Sequence, residues 1–299
     1  MRDRRPALLA GLPLLLLATG CNLLSPPPGG NVPHPTGSEV VVRIEWTGGF
    51  VPYEYLFTSL PRFTLLGDGR VLVEGPQIEL YPGPALPNIQ VRRVTEEGVQ
   101  SILFRIAETE LFDQDRSYTG AAQFVADANT TVFTVTADDR TVVVDVYALG
   151  IATPDSVPAG FPAEELAAHQ ALLQLEADLM NLDAWLPADD WADTAWQSYQ
   201  AEALLLLVAD VTELPPVDPG FSSDPLPWPG TTPPTALGDP SDVHDFRCGV
   251  VSGAEADTWL VALAEANELT RWSYDGRLYR VTPRPLLPDE PLTCAWPEG

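Results

Sequence analysis

Of the 299 residues, 42 are Asp or Glu and 16 are basic, every one of them arginine, and the formal net charge is −26. A surface this acidic repels nucleic-acid phosphate and anionic lipid, which excludes nucleic acid as a partner. It fits a salt-rich habitat and an acidic docking face equally well.

The chain opens on a targeting segment. Arg2, Arg4 and Arg5 precede an uncharged run from Ala7 to Ala18, 12 residues long. A membrane-crossing helix needs roughly 20 apolar residues, so the run is a signal and not a span. It passes through Thr19 and Gly20 into Cys21, and the resulting "LATGC" resembles the lipobox of bacterial lipoproteins, with Ala18 where leucine is commonest. The resemblance implies cleavage after residue 20, a diacylglyceryl cysteine at Cys21 and a palmitate-type acyl chain on its amine. Two or more acyl chains, at about 0.8 kcal/mol per buried CH₂, hold a protein on a membrane where one would let it go. The expected location is the cell envelope, lipid-anchored and exposed outside the cytoplasm. Asn22 stands where the inner-membrane retention signal has aspartate. A twin-arginine route from Arg4-Arg5 is poorly matched by Pro6-Ala7-Leu8.

Residues 21–38 are rich in Pro and Gly and are expected to form a disordered tether. "EVVVRIEWTGGF" then reads as a strand ending in a glycine turn, and "RFTLLGDGRVLV" as a hairpin turning at Asp68-Gly69. From Thr95, a capping residue, Val99, Ile102, Leu103 and Ile106 give the apolar stripe of a helix on a sheet. "TTVFTVTADDRTVVVDVYAL" reads as a second hairpin turning between Ala137 and Arg140. A helix follows at about 163–182 with Leu172, Leu175, Leu179 and Leu182 on one side.

In 183–299, "PADDWAD" (Asp189, Asp190, Asp193) reads as a helix start with acids at the positive dipole end. "YQAEALLLLVADV" reads as a strand, with a helix left open by its alanines and leucines. A loop at 213–243 holds nine prolines between Pro215 and Pro240. Ser252 and Glu255 form a capping-box pattern before Trp259, Leu260 and Leu263, and "RWSYDGRLYRV" is a hairpin turning at Asp275-Gly276. With Cys21 lipidated, Cys248 and Cys294 remain an even pair in an oxidising compartment and are expected to be bonded. The expected fold class is α+β: an N-terminal β-sheet with packed helices at 39–182, then a second, smaller α+β module at 183–299 with a disulfide.

The order of elements in 39–182, with Gly48-Gly49-Phe50, Leu111-Phe112 and Val132 to Val135, is similar to the bacterial metalloprotease inhibitors called emfourins. That resemblance covers about half the chain and implies a protease as partner. The "GDGRV" hairpin stands as an insertion, and the anchor and C-terminal half have no counterpart. "TGGF", "GDGRV", "YPGPALP" and "RPLLPDE" also resemble an uncharacterised family of bacterial lipoproteins, which carries no functional assignment.

Catalytic signatures are missing: there is no Gly-rich phosphate loop, zinc-protease helix, nucleophile elbow or EF-hand loop. No cofactor is expected. A serine–histidine–acid site would have to use His169 or His244, and no serine stands in a nucleophile context. Asp239, Asp242 and Asp245, with His244 in "DPSDVHD", are the candidate ligands for a hard cation, against the simpler reading of a solvated acidic turn. Trp228 in "PLPWPG" is the candidate for presentation to a partner on an extended backbone. The sequence thus reads as a non-catalytic, lipid-anchored extracytoplasmic lipoprotein binding a protein or peptide, in the manner of a protease inhibitor. The alternatives are a hydrolase or accessory enzyme with an unrecognised site, or a purely structural surface protein.

Overall fold

The computed structural model describes residues 30–77, 79–221, 224–241 and 245–294. The expected signal at 1–20, Cys21, Asp242 and His244 lie outside them.

An eight-stranded sheet holds β1 (Val40–Gly48), β2 (Phe63–Leu66), β3 (Arg70–Glu74), β4 (Ile89–Arg93), β5 (Arg116–Tyr118), β6 (Asn129–Ala137), β7 (Arg140–Tyr147) and β8 (Gln197–Ser198). Their order is β5-β7-β6-β1-β2-β3-β4-β8. Alternation decides the faces. Phe133 and Val135 of β6, and Val142, Val144 and Val146 of β7, point inward. They meet Val99, Ile102, Leu103 and Ile106 of helix α2 (Glu96–Ala107) and Leu172, Leu175 and Leu179 of helix α3 (Ala163–Met180). Thr95 caps α2, its hydroxyl accepting from the Gly98 N–H at 3.2 Å. The β6–β7 turn places Asp138 and Asp139 both at positive φ (51° and 55°), the geometry of a two-residue hairpin turn. At Gly69 (φ 82°), in the β2–β3 turn, a Cβ would strike the Val94 carbonyl.

The second sheet has the order β10-β13-β14-β9-β12-β11, from β9 (Ala203–Asp210), β10 (Leu226–Pro227), β11 (Asp239–Pro240), β12 (Arg247–Ser252), β13 (Arg271–Tyr274) and β14 (Arg277–Pro285). Seven consecutive residues of β9 are buried. Leu204, Leu206 and Val208 pack with Trp259 of helix α4 (Ala254–Ala264), while Ala203, Leu205 and Leu207 pack with Phe57 of helix α1 (Tyr53–Thr58) and with Leu286. Both faces of this strand are covered, which is why an Ala- and Leu-rich run is extended here and not helical. Cys248 and Cys294 form the expected disulfide, Cα to Cα 6.0 Å.

Between the sheets, Leu66, Leu72 and Ile89 on the outer face of β2, β3 and β4 pack against Leu60 and Leu287. Arg43 donates to Asp289 at 2.7 Å, and Arg284 to Glu290 and to the Ser59 carbonyl. Among the described residues, no helix is long and apolar enough to cross a membrane.

Four expectations meet a different arrangement. Residues 30–38, assigned to the tether, are docked. Val32 is buried and exchanges hydrogen bonds with the Gln100 side chain at 2.8 and 2.9 Å, and the Pro33 carbonyl accepts from Asp138 N–H. The first unit continues past residue 182: Leu182 and Leu186 join its core, and β8 pairs with β4. "PADDWAD" forms only a three-residue 3-10 turn, whose Asp190 carbonyl accepts from Thr95 N–H at 2.8 Å. Finally, α4 begins after Gly253, which takes the N-cap position one residue beyond Ser252 and has no side chain to cap with, and Glu255 accepts from the Thr232 N–H at 3.0 Å instead.

Candidate functional site

The residues singled out from the sequence do not converge. Asp239 and Asp245 are exposed, and no three His, Cys, Asp or Glu side chains among the described residues are grouped to hold a metal. Trp228 turns inward at 9 % exposure, its ring edge-on to Trp259 at 4.8 Å and its indole N–H donating to the Thr232 carbonyl. An extended "PLPWPG" therefore inserts this tryptophan into the core and does not offer it to a partner. His169 sits on α3 at 1 % exposure, against the Phe161 ring and 3.8 Å from Glu165. Burial depresses its pKa although Glu165 pulls the other way. An imidazole sealed this way is out of reach of a substrate from solvent.

The concave surface lies elsewhere. Where β9 ends and β14 begins, two adjoining hollows share Val211, Leu214 and Arg280. The smaller, about 210 Å³, is walled by Leu214, Pro215, Pro216, Val217, Pro225, Leu269 and Leu278. The wider, about 900 Å³, runs past Asp210, Glu213, Asp245, Arg247, Arg277 and Tyr279. Several features fix this cleft. Val211 N–H donates to the Leu278 carbonyl at 2.8 Å, Leu214 N–H returns to Val211, and Arg271 holds the Leu214 carbonyl at 3.1 Å. The chain from β3 to β4 reaches across to the same rim. There Tyr81 packs edge-on to Phe221 at 5.2 Å, and Gly83 N–H donates to Glu268 at 2.7 Å.

Its electrostatics are mixed inside and negative at the rim. Arg277 contacts Asp210 at 2.5 Å, Arg280 contacts Glu54 at 3.2 Å, and Arg247 donates to the Leu237 and Gly238 carbonyls. Asp210 is held below the usual carboxylate range: burial raises it, but hydrogen bonds from Thr212 and the Arg277 guanidinium together outweigh that. Tyr81 is pushed above the ordinary phenol value by desolvation and then by Asp218 and Glu268.

Exposed apolar groups accompany the cleft. Leu214 (58 %), Val217 (72 %) and Phe221 lie along it. Phe50, 89 % exposed, follows the Gly48-Gly49 turn, and α1 begins three residues later at Tyr53, with Glu54 in its first turn the partner of Arg280. Residues 30–38 dock at the opposite end of β1, beside the β2–β3 and β6–β7 turns. Nine residues of β1 at about 3.3 Å each separate the two ends by about 27 Å.

The cleft escaped sequence reading because its walls meet across a wide gap in the chain, 66 residues between Thr212 and Leu278. The Pro-rich loop was the one local signal. Searches against protein-family models, curated proteins and solved structures gave no match.

Proposed function

We propose that this chain is a lipid-anchored, extracytoplasmic lipoprotein with no catalytic role, which binds a protein or peptide partner at the cell envelope. The observation that carries the reading is polarity along β1. The first described residues, 30–38, dock at one end, and the exposed Phe50 and the α1 contact to the cleft are at the other. An anchor at one end and sticky, concave surface at the other suit a receptor or inhibitor reaching away from its membrane. The emfourin likeness makes a metalloprotease one form of that partner, favoured by the exposure of Phe50 within Gly48-Gly49-Phe50.

The test has two arms. Cys21→Ala should release the protein from the membrane fraction and remove the acyl mass from its N-terminal peptide. Carbodiimide cross-linking of washed cells, which joins the carboxylates of this lysine-free chain to the amines of a partner, should give a discrete heavier species that Phe50→Asp or Leu214→Asp removes. A wild-type protein that is never acylated, or a monomeric species alone, contradicts the respective arm.

A further inference from the structure

The cleft between β9, β14 and the 211–218 loop sets a largely apolar hollow beside charged walls. Its small hollow is walled mainly by apolar side chains, with Asp218, Glu268, Arg271 and Arg280 also on its lining, and its volume of about 210 Å³ is several times the roughly 30 Å³ share of a water molecule, room for one large side chain. Around both hollows, four arginines (Arg247, Arg271, Arg277, Arg280) face six carboxylates (Glu54, Asp210, Glu213, Asp218, Asp245, Glu268), which leaves two negative charges. The arginines are engaged: two pair with Asp210 and Glu54, and two donate to backbone carbonyls. Glu213 and Asp245 are exposed and hold no hydrogen bond or ion pair among the described residues. The charge still seeking a partner is therefore negative, and it sits in the field of a chain of net charge −26. Such a field raises the encounter rate of cations and repels anions.

We infer that the cleft binds a cationic segment of a protein partner, with one large apolar side chain in the Leu214–Leu278 hollow and basic residues against Glu213 and Asp245. This rests on the partner-binding reading and names the partner's chemistry. The pre-set loop, tied by Val211, Leu278 and Arg271, lowers the ordering cost of binding. The buried Trp228 packs edge-on to Tyr279, ring centroids 6.0 Å apart, and so backs the wall of the wider hollow.

The test uses the purified full chain and three labelled synthetic decapeptides, read by fluorescence anisotropy. One carries a single phenylalanine among four lysines, one replaces that phenylalanine by alanine, and one replaces the lysines by glutamates. The first should bind most tightly. Glu213→Gln with Asp245→Asn should weaken it about fivefold, and Leu214→Ala by a similar factor. Glu97→Gln with Asp155→Asn, two exposed acids away from the cleft, removes the same charge and should change affinity less than twofold. Equal weakening by both double variants, equal binding of the glutamate peptide, indifference to the phenylalanine, or no binding at all would each overturn the inference. A cellular partner cross-linked through Phe50 and Leu214, with no peptide bound, would overturn this inference while leaving the partner-binding reading standing.

Discussion

Arg43, in the middle of β1, donates to Asp289 at 2.7 Å across 246 residues of sequence, and the two side chains are only 17 % and 11 % exposed. The pair ties the first sheet to the segment that follows β14. Because both groups are largely withdrawn from water, removing one leaves the other charged and poorly solvated. Asp289→Ala should cost about 2–3 kcal/mol, somewhat below the 3–5 of a fully buried pair. Urea unfolding should then separate into two transitions, one per sheet. A single unshifted transition would show that the Leu60–Leu287 cluster and the remaining contacts hold the sheets together without this pair.

The Cys248–Cys294 bond closes a loop with a sequence separation of 46. In the chain-entropy model such a loop contributes about 4 kcal/mol. Cys294→Ser should lower stability by up to that amount, and reducing agent should reproduce the loss in the wild type and leave the variant unchanged. Thermal melts with and without reductant check both.

Tyr199 donates its hydroxyl to the Leu286 carbonyl at 2.9 Å, and burial pushes its pKa up to about 12. A folded value above the ordinary 10 means that this contribution is complete below pH 10 and is lost as pH rises from 10 towards 12. Tyr199→Phe should cost about 1 kcal/mol at pH 8 and flatten the alkaline limb of the stability profile. An unaltered alkaline limb would contradict it.

His169 works in the other direction. It is buried neutral, its pKa lowered by burial and only partly restored by Glu165. The unfolded chain takes up a proton near pH 6.5 while the folded one resists, so stability falls as pH drops below 6.5 towards the depressed folded value. Phe161 packs on the ring, and the Gly120 N–H donates to Glu165 at 2.6 Å, so protonation should loosen the start of α3 first. His169→Phe should reduce the pH dependence of the melting temperature between 6.5 and the range where carboxylates titrate. An identical profile in variant and wild type would refute the assignment.

What could be read from the sequence was local. Thr95 announces α2, the Asp-Gly pairs announce their turns, and the Cys248–Cys294 pairing follows from counting. What failed depended on distant partners. Ser252 and Glu255 have the spacing of a capping box, yet Glu255 is claimed by Thr232. The extended character of "PLPWPG" says nothing about which way Trp228 faces, and the parallel pairing of β10 with β13 turns it inward. Val32 looked like tether because its partner, Gln100, lies 68 residues on. The cleft needed β14 beside β9, a pairing that no local pattern encodes.

The central claim, anchorage at one end of β1 and partner binding at the other, is tested most directly by site-specific photo-cross-linking in intact cells. A photoreactive residue is placed in turn at Phe50, at Leu214 and at Asp68 in the β2–β3 turn. The account predicts one shared cross-linked species from Phe50 and Leu214 and none from Asp68. Cross-links from Asp68 alone, or none from any of the three positions, would contradict it.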